Sequence, residues 1–322
     1  MVLKPAPLTL ALLLISTPAA ADPFPARDLN PLLAGFGLPA ALPARLSSES
    51  WAIATDLNWA SVSLVQRAGA EQLIVDAEVR EARVTIGRSW ASGFAAQLQI
   101  PYRYTGGGVL DSAIDSWHDF FGLPQGTRAF SPQDRIRIAY GRGNTVIFDV
   151  RTPQTGLGDI SLDFGRSLHS TDSGAVAAWA SIKLPSGDAD RFTGSGATDV
   201  SLVIAGEHRL GEDWSTFGQV GIAWLGEGER LSAQQRDFGW SALAGIGWRA
   251  WRGLELKAQL DAHSAVFDEA DFDFLGDAFV LTVGGDYRFA SGWQFALAVS
   301  EDIAVESASD VVFVLSLKKQ SR

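Results

Sequence analysis

From about Ser50 onward, apolar and polar residues alternate in runs of roughly ten, joined by connections of sharply unequal length. Successive side chains on a strand point to opposite faces, so each run gives one row to an apolar surrounding and one to a polar surrounding. Phe94, Ala96, Leu98, Ile100, Tyr102 and Tyr104 form such a row against Gln97, Gln99 and Arg103. Leu254, Leu256, Ala258, Leu260 and Ala262 oppose Glu255, Lys257, Gln259, Asp261 and His263, and Phe279, Leu281, Val283, Tyr287 and Phe289 oppose Thr282, Asp286 and Arg288. A secreted β-sandwich alternates as well, but its strands are typically about 5–6 residues. Longer runs with tight turns on one side and long loops on the other describe an all-β, antiparallel transmembrane barrel.

The pattern places strands at about 51–62, 71–88, 93–104, 157–168, 175–184, 198–209, 214–225, 238–250, 254–266, 277–289, 292–303 and 310–318. Twelve strands put both termini on one side together with every short turn; fourteen is the alternative count. The pieces Ile136–Tyr140 and Val146–Asp149 flank a Gly-Arg-Gly-Asn turn. Each falls short of the roughly 9–11 residues a tilted strand needs to cross, so they are expected to form an extracellular hairpin inside the 105–156 loop. The run 73–88 changes phase near Arg80–Ala82, which predicts a β-bulge.

The first residues give the expected address. Lys4, the apolar stretch Leu8 to Ile15 and the small residues Ala19 to Ala21 compose a secretory signal over 1–21. That stretch is too short to cross a bilayer as a helix, and no run of about twenty apolar residues follows. With 37 acidic against 26 basic residues and no Cys, the composition argues against nucleic acid, disulfides and thiolate chemistry. Eleven Trp and eighteen Phe beside one Met suit aromatic girdles at two membrane interfaces. The expected location is the cell outer membrane of a Gram-negative bacterium. Its lipid, periplasmic chaperones and the barrel-assembly machinery are the expected partners. Residues 22–50 lack alternation and contain Asn30-Pro31 and Gly37-Leu38-Pro39. Because Pro cannot donate to a ladder, they are expected to lie irregularly at the periplasmic mouth or inside the lumen as a candidate plug, with the barrel occupying 51–322.

Three groups of residues are candidate sites. Leu110, Ile114, Trp117 and Phe121 recur at helical spacing, with Asp111, Asp115 and Asp119 on another face, and Gly122-Leu-Pro124 ends the pattern. This short amphipathic helix is a candidate pore loop in which Trp117, His118 and Arg128 meet solute; the plainer reading is a cap that buries apolar surface. The rows Asp76, Glu78, Arg80, then Glu255, Lys257, Asp261, His263, then Asp286 and Arg288 are candidate lumen charges. Such charges either select a solute or pair across strands. The acidic loop Asp268, Glu269, Asp271, Asp273 and Asp277 lacks the glycine of an EF-type loop and is read as solvated. No metal or other cofactor is expected. The residues two after His118, His169, His208 and His263 are Phe120, Thr171, Leu210 and Ala265. No His-X-Ser therefore places an acyl-transfer pair on one strand face, and no catalytic residue is assigned.

The stretch from Gly106 to Arg128, with Asn30-Pro31, Gly37-Leu38-Pro39 and Thr155-Gly-Leu-Gly-Asp159, resembles an uncharacterised proteobacterial outer-membrane family known only as a domain of unknown function. The resemblance spans most of the mature chain and implies a barrel without implying an activity. More loosely, Gly156-Leu-Gly-Asp159, Lys183-Leu-Pro-Ser-Gly-Asp188 and Gly194-Ser-Gly196 resemble barrels associated with aromatic-compound degradation and hydrophobic uptake. Outer-membrane barrels often finish on an aromatic residue, whereas Lys318 to Arg322 follow the last strand here, so the assembly signal is expected to shift inward to Phe313. The function expected is a channel or passive transporter for an unidentified small solute. A non-conducting structural or surface-binding barrel comes next, and a membrane-embedded hydrolase or acyltransferase last.

Overall fold

A computed structural model describes residues 22–33, 35–122, 132–268, 272–303 and 308–321. In chain order its elements are β1 (Ser50–Ala68), β2 (Glu71–Ser89), β3 (Phe94–Gly106), α1 (Asp111–Phe121), β4 (Arg137–Arg142), β5 (Thr145–Val150), β6 (Gln154–Leu157), β7 (Ser161–Ser170), β8 (Gly174–Lys183), β9 (Asp199–Leu210), β10 (Trp214–Trp224), β11 (Phe238–Trp251), β12 (Leu254–His263), β13 (Ala278–Arg288), β14 (Trp293–Asp302) and β15 (Val311–Gln320). All pairing is antiparallel. β1 meets β15 from Ala52↔Gln320 to Ser61↔Val311, which closes the sheet on itself. Closure removes the free edges that a bilayer would not tolerate.

The barrel has twelve staves, because several strands are lengths of one stave. β3 pairs β2 up to Gly106↔Glu78, and β4 takes over the same edge from Arg137↔Asp76. On their other side β5 pairs β4, while β6 and β7 pair β3 in succession. Residues 107–136 are thus an excursion from the middle of one stave. The hairpin expected at Ile136–Tyr140 and Val146–Asp149 is the top of this wall and does not add two spanning strands.

The short turns and both ends of the barrel lie at one rim, the turn end; the other rim is the loop end. One expectation fails there. β1 runs to Ala68, beyond the 51–62 span, and joins β2 through a tight turn whose Gly69 has φ 56°. That left-handed geometry favours glycine. Four staves therefore stand tall with tight hairpins. The other eight are lower and carry the long loops 184–198, 225–237, 264–277 and 303–310.

The predicted bulge near Arg80 is absent: β2 keeps one register with β1 from Ser89 to Glu71 and one with β3 from Ser89 to Glu78. The polar and apolar rows exchange for another reason. Near the turn end β2 turns Ile86 outward, but higher up Leu73, Val75, Ala77 and Val79 face inward and are almost wholly buried. The backbone does not slip; the surroundings on its two sides change.

The outer face of the lower wall is a belt of exposed apolar residues, including Ile204, Val220, Leu256, Leu281 and Leu297. Trp51, Trp214, Trp248 and Trp293 ring it near the turn end, where Trp214 and Trp248 stack at 6.1 Å. Trp224, Phe238 and Phe279 lie toward the loop end. This is the aromatic-girdled surface of a membrane barrel. The polar tail also fits the last strand: Lys318 and Gln320 face inward, while Lys319 extends over the Trp293 ring at 5.5 Å.

Candidate functional site

The lumen is occupied by residues 22–49, which rise from the turn end, turn over near Leu33 and descend to β1. On the rising leg, the Phe24 amide donates to Gln259 Oε1 at 2.7 Å, and Lys257 Nζ donates to the Asp22 carbonyl at 2.7 Å. Higher up, Asp28 accepts from Ser309 and lies 3.3 Å from His263 Nε2, while Asn30 Nδ2 donates to the Phe274 carbonyl at 2.8 Å. On the descending leg, Gln219 bridges the Ala40 carbonyl and the Leu42 amide, Trp179 Nε1 donates to the Pro43 carbonyl at 2.9 Å, and Arg45 pairs with Glu207. Among the described residues the segment makes no ladder with the wall. Its Pro-rich backbone is satisfied by inward-pointing side chains, as buried amides and carbonyls must be.

Two zones hold it. At the loop end Leu32, Leu33 and Phe36 join an apolar core with Leu64, Leu73, Val75, Ile138 and Tyr140 of the tall wall and with Phe192, Leu225, Phe267, Phe272 and Phe274 of the infolded loops. Phe36 meets Phe267 edge-on at 5.5 Å, and Tyr140 meets Phe272 edge-on at 6.2 Å. Burying each such side chain is worth roughly 1.5–3 kcal/mol, which explains why polar-looking loops fold across the mouth.

Just below lies a charged latch. Lys183, at the top of β8, places Nζ 2.9 Å from Asp159 and 3.0 Å from Asp199, and donates to the Gly35 carbonyl and to Ser195 Oγ. Asp199 in turn accepts from the Gly37 and Gly226 amides, and Asp159 accepts from those of Gly187 and Ser195. A Cβ on Gly35 would lie 2.2 Å from the Ser195 nitrogen. Only glycine lets the segment approach that closely. Motifs far apart in sequence thus converge here: Gly35 to Pro39, Gly156 to Asp159, Lys183 to Asp188 and Gly194 to Gly196. In the sequence the last three carried only a loose resemblance to other barrels, and nothing there singled out Lys183, Asp159 and Asp199 as a unit.

The predicted lumen charges divide. Lys257 and Asp286 pair at 2.8 Å, Arg288 lies 3.7 Å from Asp286 and 3.8 Å from Glu255, and Asp261 accepts from Gln259. These, with His263, face the lumen and hold one another or the N-terminal segment. Asp76, Glu78 and Arg80 do not face it. With β2 in unbroken register they share the outer face with Ile86, and residues 108–111 and 134–135 fold over them. Glu78 accepts from Trp59 Nε1 at 2.7 Å and from the Val109 and Leu110 amides, Arg80 stacks on Trp59 at 4.3 Å, and Asp76 pairs with Arg135 at 2.6 Å.

The pore-loop expectation changes with them. The start of α1 is anchored on the outer side of β1 and β2, where Asp111 accepts from the Asp134 amide at 2.7 Å and lies 3.4 Å from Ser61 Oγ. Asp115 accepts from Gln133, Asp119 is exposed, and Ile114 is buried. Arg128 and the side chains of Trp117 and His118 lie outside the described residues. In the acidic loop Asp268 pairs with Arg236 and Asp277 accepts from the Ala265 amide; Glu269 and Asp271 lie outside the described residues. On the hairpin above the belt, hydrogen bonds from Arg151 hold the Asp149 carboxyl below its ordinary range, with Arg137 adding to them.

A closed antiparallel barrel with an irregular segment threaded through its lumen defines the class of the molecule. The chain belongs to the family described as "Protein of unknown function (DUF3187)", whose model matches residues 14–320. No curated protein matches it in sequence. Among solved structures it is similar to the COG4313 outer membrane channel from Pseudomonas putida F1, with a TM-score of 0.58 and 14% identity over 86% of this chain and 97% of that one. Weaker likenesses are the KdgM porin, at TM-score 0.45 and 8% identity over 84% and 99% of the two chains, and the toluene transporter TodX of P. putida, at 0.38 and 12% over 86% and 91%. The first likeness shows the fold; the other two carry no argument.

Proposed function

We propose that this protein is a channel in the outer membrane of a Gram-negative bacterium, with its turn end in the periplasm, held shut by its own N-terminal segment and passing a small solute when that segment moves. The mode of attachment carries the reading. The wall closes through the β1–β15 ladder without help, whereas the segment hangs from it by side-chain contacts. Each neutral hydrogen bond of this kind is worth about 0.5–1.5 kcal/mol net, so the part of the segment below the Lys183 latch can move while the barrel stays closed. The fold likeness to an outer membrane channel agrees with this.

Deleting residues 24–45 tests it. The refolded barrel is expected to conduct in planar bilayers far above the full-length chain. Unchanged conductance with normal folding overturns the plug. One observation favours a second reading, a non-conducting structural or surface-binding barrel: the apolar core at the loop end is built as much from wall and loops as from the segment. A silent deletion variant selects that reading. Hydrolase chemistry gains no support, since His263 and Ser309 both bond to Asp28 and not to each other.

A further inference from the structure

Below the latch, the two legs of the N-terminal segment stand away from the wall formed by β1, β2, β3, β14 and β15 and leave a cavity of about 220 Å³. That is under the roughly 300–1,000 Å³ of sites for drug-sized ligands and suits a smaller organic molecule. One side is apolar: Pro43, Leu46, Ala52 and Ala54 line it half-buried, backed by the buried Phe24, Leu42 and Trp179. Arg27 and Arg83 are on the other, Arg83 with its guanidinium bonded to Glu81 and Gln99.

Arg27 is the unusual residue. It lines both this cavity and a smaller one behind it. Among the described residues its guanidinium has no ion pair and no hydrogen bond. Its charged surroundings are Arg83, Arg103, Glu81 and Asp28. Those carboxylates are already engaged: Glu81 takes Arg83 at 2.6 Å and also Arg103, and Asp28 takes Ser309 and His263. Asp163 faces only the smaller cavity and accepts from both Gln97 and Gln99, while Asp56 accepts from Ser316 at 2.6 Å. Three guanidiniums therefore share one committed glutamate. Arg27 is half-buried, so its guanidinium is left to the water of the cavity, and an anion that displaces that water gains a charge-assisted hydrogen bond on a cation that no carboxylate has taken.

We propose that this cavity binds a small organic anion, a carboxylate with an apolar body, with its charge on Arg27 and its body against the apolar side lined by Pro43, Leu46, Ala52 and Ala54. As the solute of the channel, such an anion rests on the reading above; as a bound ligand it stands independently.

The test uses the full-length mature chain refolded in detergent, with 4-fluorobenzoate as probe, 4-fluorobenzamide as its neutral isostere and ¹⁹F line broadening as readout against protein-free micelles. Charge-assisted bonds to a guanidinium predict that the benzoate binds about ten- to a hundredfold tighter than the benzamide. Arg27→Gln should remove that preference, and Arg27→Lys should restore much of it. Arg27→Gln should also unfold at an equal or higher urea concentration, which a merely structural arginine would not allow. Equal binding of acid and amide by the native chain overturns the proposal whatever the variants do. Benzoate binding to a barrel whose 24–45 deletion stays silent keeps the site and removes the channel. A conducting deletion variant whose full-length parent ignores benzoate does the reverse.

Discussion

The loop-end half of the lumen and the turn-end half contain the same N-terminal segment but hold it in different ways. Above, Leu33 and Phe36 are sealed into a core that includes Phe274 and Leu73, and Gly35 is pinned by a buried lysine between two aspartates. Below, Gln219, Trp179 and Arg45 reach the segment by separate bonds, and only small apolar clusters, Phe24 with Ala296 and Val314 and Leu42 with Trp179, pack it beside an open cavity. Dry contacts and buried charges cannot be loosened piecemeal, because each partner left behind is stranded without water. Isolated hydrogen bonds beside a cavity can be exchanged for water at little cost. The segment therefore has a fixed head and a releasable base.

That contrast can be broken first at the latch. Lys183→Met leaves Asp159 and Asp199 facing each other in a buried site and should cost about 3–5 kcal/mol, read as a large fall in the urea midpoint. A loss below about 1 kcal/mol would mean that the aspartates are satisfied by the Gly37, Gly187, Ser195 and Gly226 amides alone. Phe274→Ala should cost a comparable or slightly smaller amount, about 3–5 kcal/mol for emptying a fully buried aromatic site, and should open the infolded loops to added protease. Protease resistance equal to that of the native chain would show that the core does not hold the loops. At the base the expectation reverses. Arg45→Ala takes a partly exposed guanidinium from the buried Glu207, which borders the cavity where water can replace it, and should cost less, about 1–3 kcal/mol, yet raise the frequency of channel openings in bilayers. A midpoint drop as large as that of Lys183→Met would erase the distinction between head and base.

The antiparallel barrel, its outward apolar rows and the count of twelve were legible because each follows from side-chain alternation. The Asp76–Glu78–Arg80 row misled for an equally physical reason. Alternation reports which face is polar but not whether the polar face is the inner one. Above the belt the lumen is filled with Leu73 and Val75, and Val109, Leu110 and Arg135 cover the outer face, so the usual assignment inverts. Lys183 was invisible because its partners lie in four separate segments, each of which reads locally as an ordinary glycine-rich turn.

By itself, then, the sequence determined the barrel: a period of two is a local property, and each strand carries its own record of apolar and polar sides. Tertiary structure alone decided that the lumen is filled, that three stretches of one descending stave are a single strand, and where Arg27 stands without a partner. Those outcomes depend on which residues from distant segments meet inside a closed wall, and burial, pairing and cavity are properties of the meeting and not of any residue alone.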